Sequence, residues 1–523
     1  MYIIKITSKF PDQVGVGTRY AIVLVLSYVS LAECARILAV FPMPSVSHQA
    51  VFRPITQELV RRGHEVVVIT PDPAFPEGQA PVNLTEIDVH ETAYEAWLEV
   101  INRDVIGKPT DFLTILEFMI KSTWKFFPAE MQTPAVQEII HKKRGEFDLI
   151  LTELCIRKCL GFSHIFRVPV IQISSLGSIL YNDGIVGSET HPFLFPSSFN
   201  RRIYNLTLYE KFFQLWDDLR LKWTYSAAEE TENELMKDVF GPDVPPLSVL
   251  KDNIHLTMLN IHPIWADNQP VPPSVVYIGS IHQKAPKPLP LEYQSYLDAS
   301  KIGVVYVSFG TNAPSKFAPE TVQILLDVLC KLPYGVLLKW DQDNLPVDCK
   351  NMKISKWFPQ YDILRHPNVK LFITQGGLQS TEESLAAGVP MIGLPILGDQ
   401  WYNTEKYAHH RIGTKLEWST LDRESLRNAI DTIINDESKI ISDTPNTSLE
   451  RAMWWVEYVL RHGGARHLRP PTANMSLYQY LEVDLMIAVL LGLFLVILAL
   501  TLAVYGVWRY VTKSFCGNKV KKS

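Results

Sequence analysis

The chain is poor in several things that would have pointed to familiar functions. It has six cysteines in 523 residues. Cys34 falls in an apolar leader and Cys516 in the basic tail. The other four, Cys155, Cys159, Cys330 and Cys349, show no zinc-ligand spacing and are too few for a disulfide scaffold. Charged side chains make up only 20%, the net charge is -5 and the pI is near 6.3, so nothing suggests a nucleic-acid partner. The first half also lacks a G-x-G-x-x-G turn after its first apolar strand. The equivalent loop holds Pro42, Pro44, Ser45, Ser47 and His48. Without glycines that let backbone N–H groups approach a diphosphate, this half is not expected to hold a nucleotide.

Long apolar runs occur only at the two ends. Lys5, Lys9 and Arg19 precede "YAIVLVLSYVSLA" and small residues follow it, the pattern of a signal peptide over 1–35; an N-terminal anchor is the alternative. Leu485 to Trp508 carries no charge and is long enough to span a bilayer. Arg509, Lys513, Lys519, Lys521 and Lys522 follow it, which places the tail 509–523 in the cytosol and the body in the lumen or outside the cell. Lys519 and Lys521 stand fifth and third from the end. They resemble a dilysine retrieval signal of the endoplasmic reticulum, or else form a plain stop-transfer flank. Sequons at Asn83, Asn205 and Asn446 suit a lumenal body, and Asn474 lies close to the membrane.

Between the ends, strand and helix patterns alternate. "RILAVFP", a polar loop, the helical "ITQELVRRGHE" closed by Gly63 and the strand "VVVITP" make a βαβ unit. "FDLILT", "PVIQIS" and "IHLTMLN" continue as strands, with amphipathic helices from Asp88 to about Phe240. Among these, "LYEKFFQLWDDLRLKW" reads as a core-facing helix, with a pocket wall or a bilayer contact as alternatives. Seven prolines from Pro263 to Pro290 mark a stiff connector. The alternation then restarts with "GVVYVSFG", "YGVLLKW", "VKLFITQ", "PMIGLPI" and "GTKLEW". The expected fold class is α/β, with two doubly wound domains facing a cleft: 36–285, and 286–450. A helix and stalk at 451–484 and the membrane helix 485–508 follow. Ligands are expected at the carboxyl ends of the strands.

The stretch "VKLFITQGGLQSTEESLAAGVPMIGLPILGDQ" carries the chemistry. Gly376 and Gly377, between a strand and a helix, suit a diphosphate seat, although a tight turn needs the same residues. "SFG" (Ser308, Phe309, Gly310) follows another strand. Trp357 can stack a planar base and Gln360 can read its edge. Glu383 can accept from ribose hydroxyls, and Asp399 and Gln400 can hold a sugar.

In that order, "WFPQYDILRHPNVKLFITQGGLQSTEESLAAGVPMIGLPILGDQ" resembles the donor signature of membrane-bound UDP-glycosyltransferases. "FPMPSVSHQAVFRPITQELVRRGHEV" and "LERAMWWVEYVLRHGGARHLR" are similar to insect-type members. The resemblance implies a GT-B fold, a UDP-sugar donor in the C-terminal domain and small lipophilic acceptors in the N-terminal one. It puts Trp357 and Gln360 on uracil and Glu383 on ribose. Ser308, Gly310, Thr311, Thr374, Gln375, Gly376, Gly377, Gln379 and Ser380 then surround ribose and diphosphate, with Asp399 and Gln400 on the sugar. It makes His48 the general base, a role that suits an imidazole titrating near neutrality. Glu153 becomes its carboxylate partner, where many relatives carry Asp. Gln375 stands where many relatives carry His, although insect-type members often carry Gln. The segment near 436–448 looks shorter than its counterpart by about one to two helical turns. The implied activity is inverting transfer of a hexose, glucose before glucuronate, with UDP-glucose as co-substrate, no permanently bound cofactor and no metal. The expected partners are the UDP-sugar, the acceptor and the membrane; oligomeric state is left open. A silent UDP-sugar-binding protein and a single-pass receptor are the rival readings.

Overall fold

The computed structural model describes residues 34–100, 112–142, 145–178, 182–188, 191–310, 319–434 and 447–519. The part of the expected signal peptide before Cys34, Thr311, Asn446, Lys521 and most of the segment near 436–448 lie outside them. Among the described residues two parallel sheets stand in sequence. The first has seven strands: β1 (Arg36–Val40), β2 (Glu65–Thr70), β3 (Leu84–Asp88), β4 (Leu149–Glu153), β5 (Val170–Ser174), β6 (Ile254–Leu259) and β7 (Val275–Tyr277). Their spatial order is 3-2-1-4-5-6-7. The second has β8 (Val304–Ser308), β9 (Gly335–Lys339), β10 (Met352–Ser355), β11 (Val369–Thr374), β12 (Met391–Gly393) and β13 (Gly413–Lys415), in the order 10-9-8-11-12-13.

Each order reverses beside its first strand. In the first sheet β1 lies between β2 and β4, and in the second β8 lies between β9 and β11. The loops after β1 and β4, and after β8 and β11, therefore diverge and open a crevice at the strand ends. Helices cover both sheet faces, which is why β4, β5, β6 and β8 are buried along their whole length and read as unbroken apolar runs. A disulfide joins Cys330 to Cys349 in the second half.

Three strands do not show in the hydrophobic pattern: β3, β7 and β10. All three are sheet edges, paired on one side only, so they need no continuous apolar run. The loop expected across "MPSVSHQAVFRP" is mostly helix. A helix runs Val46–Arg61 with Pro54 inside it, and His48 sits in its first turn. The proline reads as a breaker because it removes one helix hydrogen bond. Here Val51, Phe52 and Ile55, all buried, hold the helix on the sheet regardless.

A second correction concerns the 33-residue helix Leu208–Phe240, started by a capping box between Thr207 and Glu210. From its middle onward it packs Leu221, Tyr225, Ala228, Met236 and Val239 into the domain. The N-terminal half overhangs, and Tyr209, Phe212, Trp216 and Trp223 are exposed rather than core-facing.

The chain then crosses between the domains a second time. A capping box between Thr447 and Glu450 starts the helix Ser448–Arg461. It carries Ala452, Met453, Val456 and Val459 as one buried stripe, and they join Ile37, Ala39 and Leu256 of the first sheet. Burying each Val or Met there contributes about 1.5–3 kcal/mol. Past the stalk, the helix Val483–Lys519 contains one exposed apolar segment, Val483–Lys513, long enough to cross a membrane.

Candidate active site

A cleft of about 490 Å³ lies between the two sheets, at their carboxyl ends. It draws on the loop after β1, the loops after β8 and β11, the Leu378–Ala387 helix and the turn after β12. Twelve of the residues singled out in the sequence line it: His48, Ser308, Gly310, Trp357, Gln360, Gln375, Gly377, Gln379, Ser380, Glu383, Asp399 and Gln400.

On the N-terminal side, His48 meets Glu153 from the end of β4. His48 Nδ1 lies 2.5 Å from Glu153 Oε1. Glu153 is 1% exposed, and the Met43 N–H donates to its other oxygen at 3.3 Å. With the carboxylate accepting from Nδ1–H, the Nε2 lone pair is left toward the cleft. The longer glutamate therefore closes the dyad.

Behind the dyad, burial holds the thiols of Cys155 and Cys159 and the carboxyl of Glu130 well above their ordinary ranges. Donor atoms of His48, Glu153 and Cys155 come within 4.8 Å of one another. A metal would have to compete there with the His48–Glu153 hydrogen bond and remove the thiol's proton.

The C-terminal wall is a hydrogen-bonded frame. The Tyr306 hydroxyl donates to Gln360 Oε1 at 3.2 Å. Gln360 Nε2 donates to Ser380 Oγ at 2.9 Å and to Glu383 Oε2 at 2.8 Å. The amide expected to read a base edge is thus already engaged in orienting Glu383. Burial raises Glu383 to about 7, partly offset by the Gln360 bond. Trp357 is 61% exposed, with Lys339 Nζ 4.9 Å from its ring centre. Asp399 is raised to about 6 by burial, while Asn403 Nδ2 donates to it at 2.7 Å. His48 acts favourably on it from across the cleft. Gln400 turns back, its Oε1 accepting from the N–H groups of Ile396 and Leu397.

The paired glycines have a geometric reason. Gly310 and Gly376 have φ of 81° and 87°, a region that L side chains rarely enter. A Cβ on Gly310 would lie 2.2 Å from Gln375 Nε2, and one on Gly376 would lie 2.4 Å from Thr404 Cγ2. Gln375 Oε1 accepts from the Thr374 hydroxyl at 3.2 Å. The opposite end of that amide, Nε2, therefore sits between Gly310 and Gly377, beside the N-terminus of the Leu378–Ala387 helix. Thr374, fully buried, also accepts from the Gly376 N–H at 3.2 Å and so shapes the turn without lining the cleft. Gln379 bridges the domains, its Nε2 donating to Ser175 O at 3.1 Å.

The sequence pattern missed Lys339, Tyr306 and Phe358 on the C-terminal side of the cleft, and Trp97, Phe118, Met119, Leu176 and Phe199 on the other. Lys339, at the end of β9, donates to Gly310 O at 2.8 Å. A lysine closing an apolar strand at the open end of a parallel sheet was the available signal. The aromatic residues come from separate helices and loops, and no local spacing links them.

Two facing Rossmann-like domains with their strand ends on one cleft make this a GT-B glycosyltransferase fold. It is like the glycosyltransferase of kitacinnamycin, at TM-score 0.53 and 18% identity over 83% of this chain and 97% of that one. The family described as "UDP-glucoronosyl and UDP-glucosyl transferase" matches residues 36–522, and the chain belongs to it. It is therefore an enzyme that transfers a sugar from a UDP-sugar. The ecdysteroid UDP-glucosyltransferase of Spodoptera littoralis nuclear polyhedrosis virus is 32% identical over 506 residues, covering 90% of this chain and 98% of that protein. UDP-glucosyltransferase 2 of Dactylopius coccus is 29% identical over 468 residues, 87% of this chain and 90% of that protein.

Proposed function

We propose that the enzyme transfers glucose from UDP-glucose, with inversion, to a hydroxyl of small lipophilic acceptors. One observation carries the mechanism: the imidazole of His48, held by buried Glu153 at 2.5 Å, lines the same cleft as the donor-side constellation. His48 Nε2 takes the acceptor's hydroxyl proton. The oxygen's electron pair forms the bond to C1 as the C1–oxygen bond to UDP breaks, and that pair leaves on the diphosphate. The imidazolium formed is stabilised by Glu153. Charge growing on the diphosphate is met by Gln375 Nε2 and the N–H groups of the Leu378–Ala387 helix. Trp357 stacks the uracil and Glu383 takes the ribose hydroxyls.

The choice of glucose rests on the curated relatives named above. The apolar lining from Trp97, Phe118, Met119, Leu176 and Phe199 supports a lipophilic acceptor. The division at 36–285 and 286–450 follows the two sheets, since β7 ends at Tyr277 and β8 opens at Val304. The body is assigned to the lumen of the endoplasmic reticulum, supported by the charge asymmetry around the apolar helix and by exposed Asn83 and Asn205.

Membranes carrying the enzyme, incubated with radiolabelled UDP-glucose and a phenol panel, are expected to yield β-glucosides. A product with the α configuration removes the inverting mechanism, and binding without turnover removes the catalytic reading. Protease added to sealed microsomes is expected to clip only the tail after Trp508. Replacing Lys519 and Lys521 with Ser is expected to let the protein reach later compartments; unchanged retention would discard the dilysine assignment.

A further inference from the structure

The connector after β7 passes under the donor helix, and its residues Ser280 and His282 meet two adjacent carboxyls there. The Ser280 N–H donates to Glu382 Oε2 at 2.9 Å. His282, its side chain 5% exposed, stands between the pair. Nδ1 is 3.8 Å from Glu382 Oε2, and Nε2 is 3.6 Å from Glu383 Oε1. Neither ring nitrogen has a partner within hydrogen-bond distance among the described residues, nor does Glu382 Oε1. The backbone of Gln379 offers the ring an acceptor beyond that distance and favours its protonated form. A buried imidazole between two buried acids is costly unless protons move among the three.

Burial pushes Glu382 up to about 8 and Glu383 up to about 7, and pushes His282 down to about 4. Each direction reflects the cost of one lone charge in a dry place. A proton passed from Glu383 to His282 makes two opposite charges in contact instead. Their attraction then opposes both penalties. Around Glu383 the other charged groups are Arg365, which favours ionisation, and Asp362, which opposes it. Tyr306 and Tyr361 face it with hydroxyls that burial keeps protonated. Among the described residues no lysine or arginine side chain forms an ion pair with Glu383, so His282 is its basic neighbour at contact distance.

We propose that His282 is a positioning residue for the donor, receiving on Nε2 the proton that Glu383 gives up when the ribose hydroxyls of a UDP-sugar arrive. The O–H bond of Glu383 breaks and the N–H bond of His282 forms, with no net exchange with solvent. The ribose then meets a carboxylate already paired with an imidazolium, and Glu382 Oε2 lies next to the other ring nitrogen. This rests on Glu383 being the ribose acceptor.

Calorimetric titration with UDP at pH 6, in two buffers of different ionisation heat, counts the protons released. UDP lacking both ribose hydroxyls, run in parallel, cancels the titration of the diphosphate itself. Wild-type enzyme is expected to release close to no proton attributable to the hydroxyls. His282→Gln is expected to release close to one and to bind UDP about tenfold more weakly at pH 6, converging with wild type near pH 8. The dideoxy analogue is expected to bind both forms alike. Equal proton release by wild type and variant overturns the role of His282. Equal affinity of the wild type for UDP and its dideoxy analogue instead overturns the ribose assignment of Glu383. Should His282→Gln fail to fold, the infrared difference spectrum of wild type on adding UDP decides. Loss of a protonated-carboxyl band with gain of carboxylate and imidazolium bands supports the transfer, and an unchanged carboxyl band overturns it.

Discussion

Shortening Glu153 by one methylene tests the catalytic dyad more sharply than deleting it. Aspartate at this position withdraws the carboxylate by about 1.5 Å, one carbon–carbon bond. Little can follow it. Residues Ile150–Glu153 of β4 pair with β5 on one side and Leu149–Thr152 with β1 on the other, and the strand is buried throughout. His48 is fixed from its own side by a helix whose Val51, Phe52 and Ile55 are buried in the core. The 2.5 Å contact therefore opens to roughly 4 Å, beyond a hydrogen bond. A hydrogen bond to a charged group contributes about 1.5–3 kcal/mol, so Glu153→Asp is expected to lower kcat by about 10- to 100-fold. The negative charge remains nearby, so Glu153→Gln, which removes it while keeping the length, is expected to lose about tenfold more. Both variants should bind UDP as wild type does, because Glu153 belongs to the opposite domain. Steady-state kinetics at saturating UDP-glucose, across phenols of decreasing acidity, measure this. The defect should grow as the phenol becomes a weaker acid and leans harder on the base. Full activity of Glu153→Asp, or a defect independent of phenol acidity, would refute the dyad.

His48→Ala is expected to reduce turnover of aliphatic alcohols by about 10² or more, with UDP affinity unchanged by calorimetry; substantial residual turnover removes His48 as base. Gln375→Ala is expected to lower the maximal rate more than it weakens UDP-glucose binding, by about 1–3 kcal/mol of barrier, because in the proposed mechanism its Nε2 meets charge that develops as UDP leaves. A parallel fall in melting temperature and rate would make Gln375 a mere turn support. Glu382→Gln tests the buried acid through stability. Its folded pKa is raised from the ordinary range near 4.5 to about 8, so its contribution is present at low pH and is lost as pH rises through 8. Calorimetric scans are expected to show variant and wild type melting together at pH 5, with the variant higher at pH 8.5. A variant that melts lower at pH 8.5 contradicts the burial argument.

What the sequence made legible follows from which interactions are local. Central strands such as β4 and β8 must be apolar on both faces, so they are readable one by one. The edges β3, β7 and β10 carry no such demand. The candidate donor side was readable because Gln360, Gln375, Glu383 and Asp399 lie within 40 positions, in the loops and helices that follow successive strands of one sheet. His48 was singled out as the candidate base, but Pro54 hid the helix that carries it. Its partner Glu153 is 105 positions away, and only the parallel pairing of β1 with β4 brings them together. His282 was invisible for the same reason: it sits in a proline-rich connector, 100 positions before the carboxyl it faces.

The helix Ser448–Arg461 gives the first domain a gap in its own chain. Part of its hydrophobic core is encoded some 170 positions after its last strand, on the far side of the whole second domain. Severing the connector after β7 would therefore not yield an autonomous N-terminal fragment: the piece would carry a raw apolar furrow over Ile37, Ala39 and Leu256.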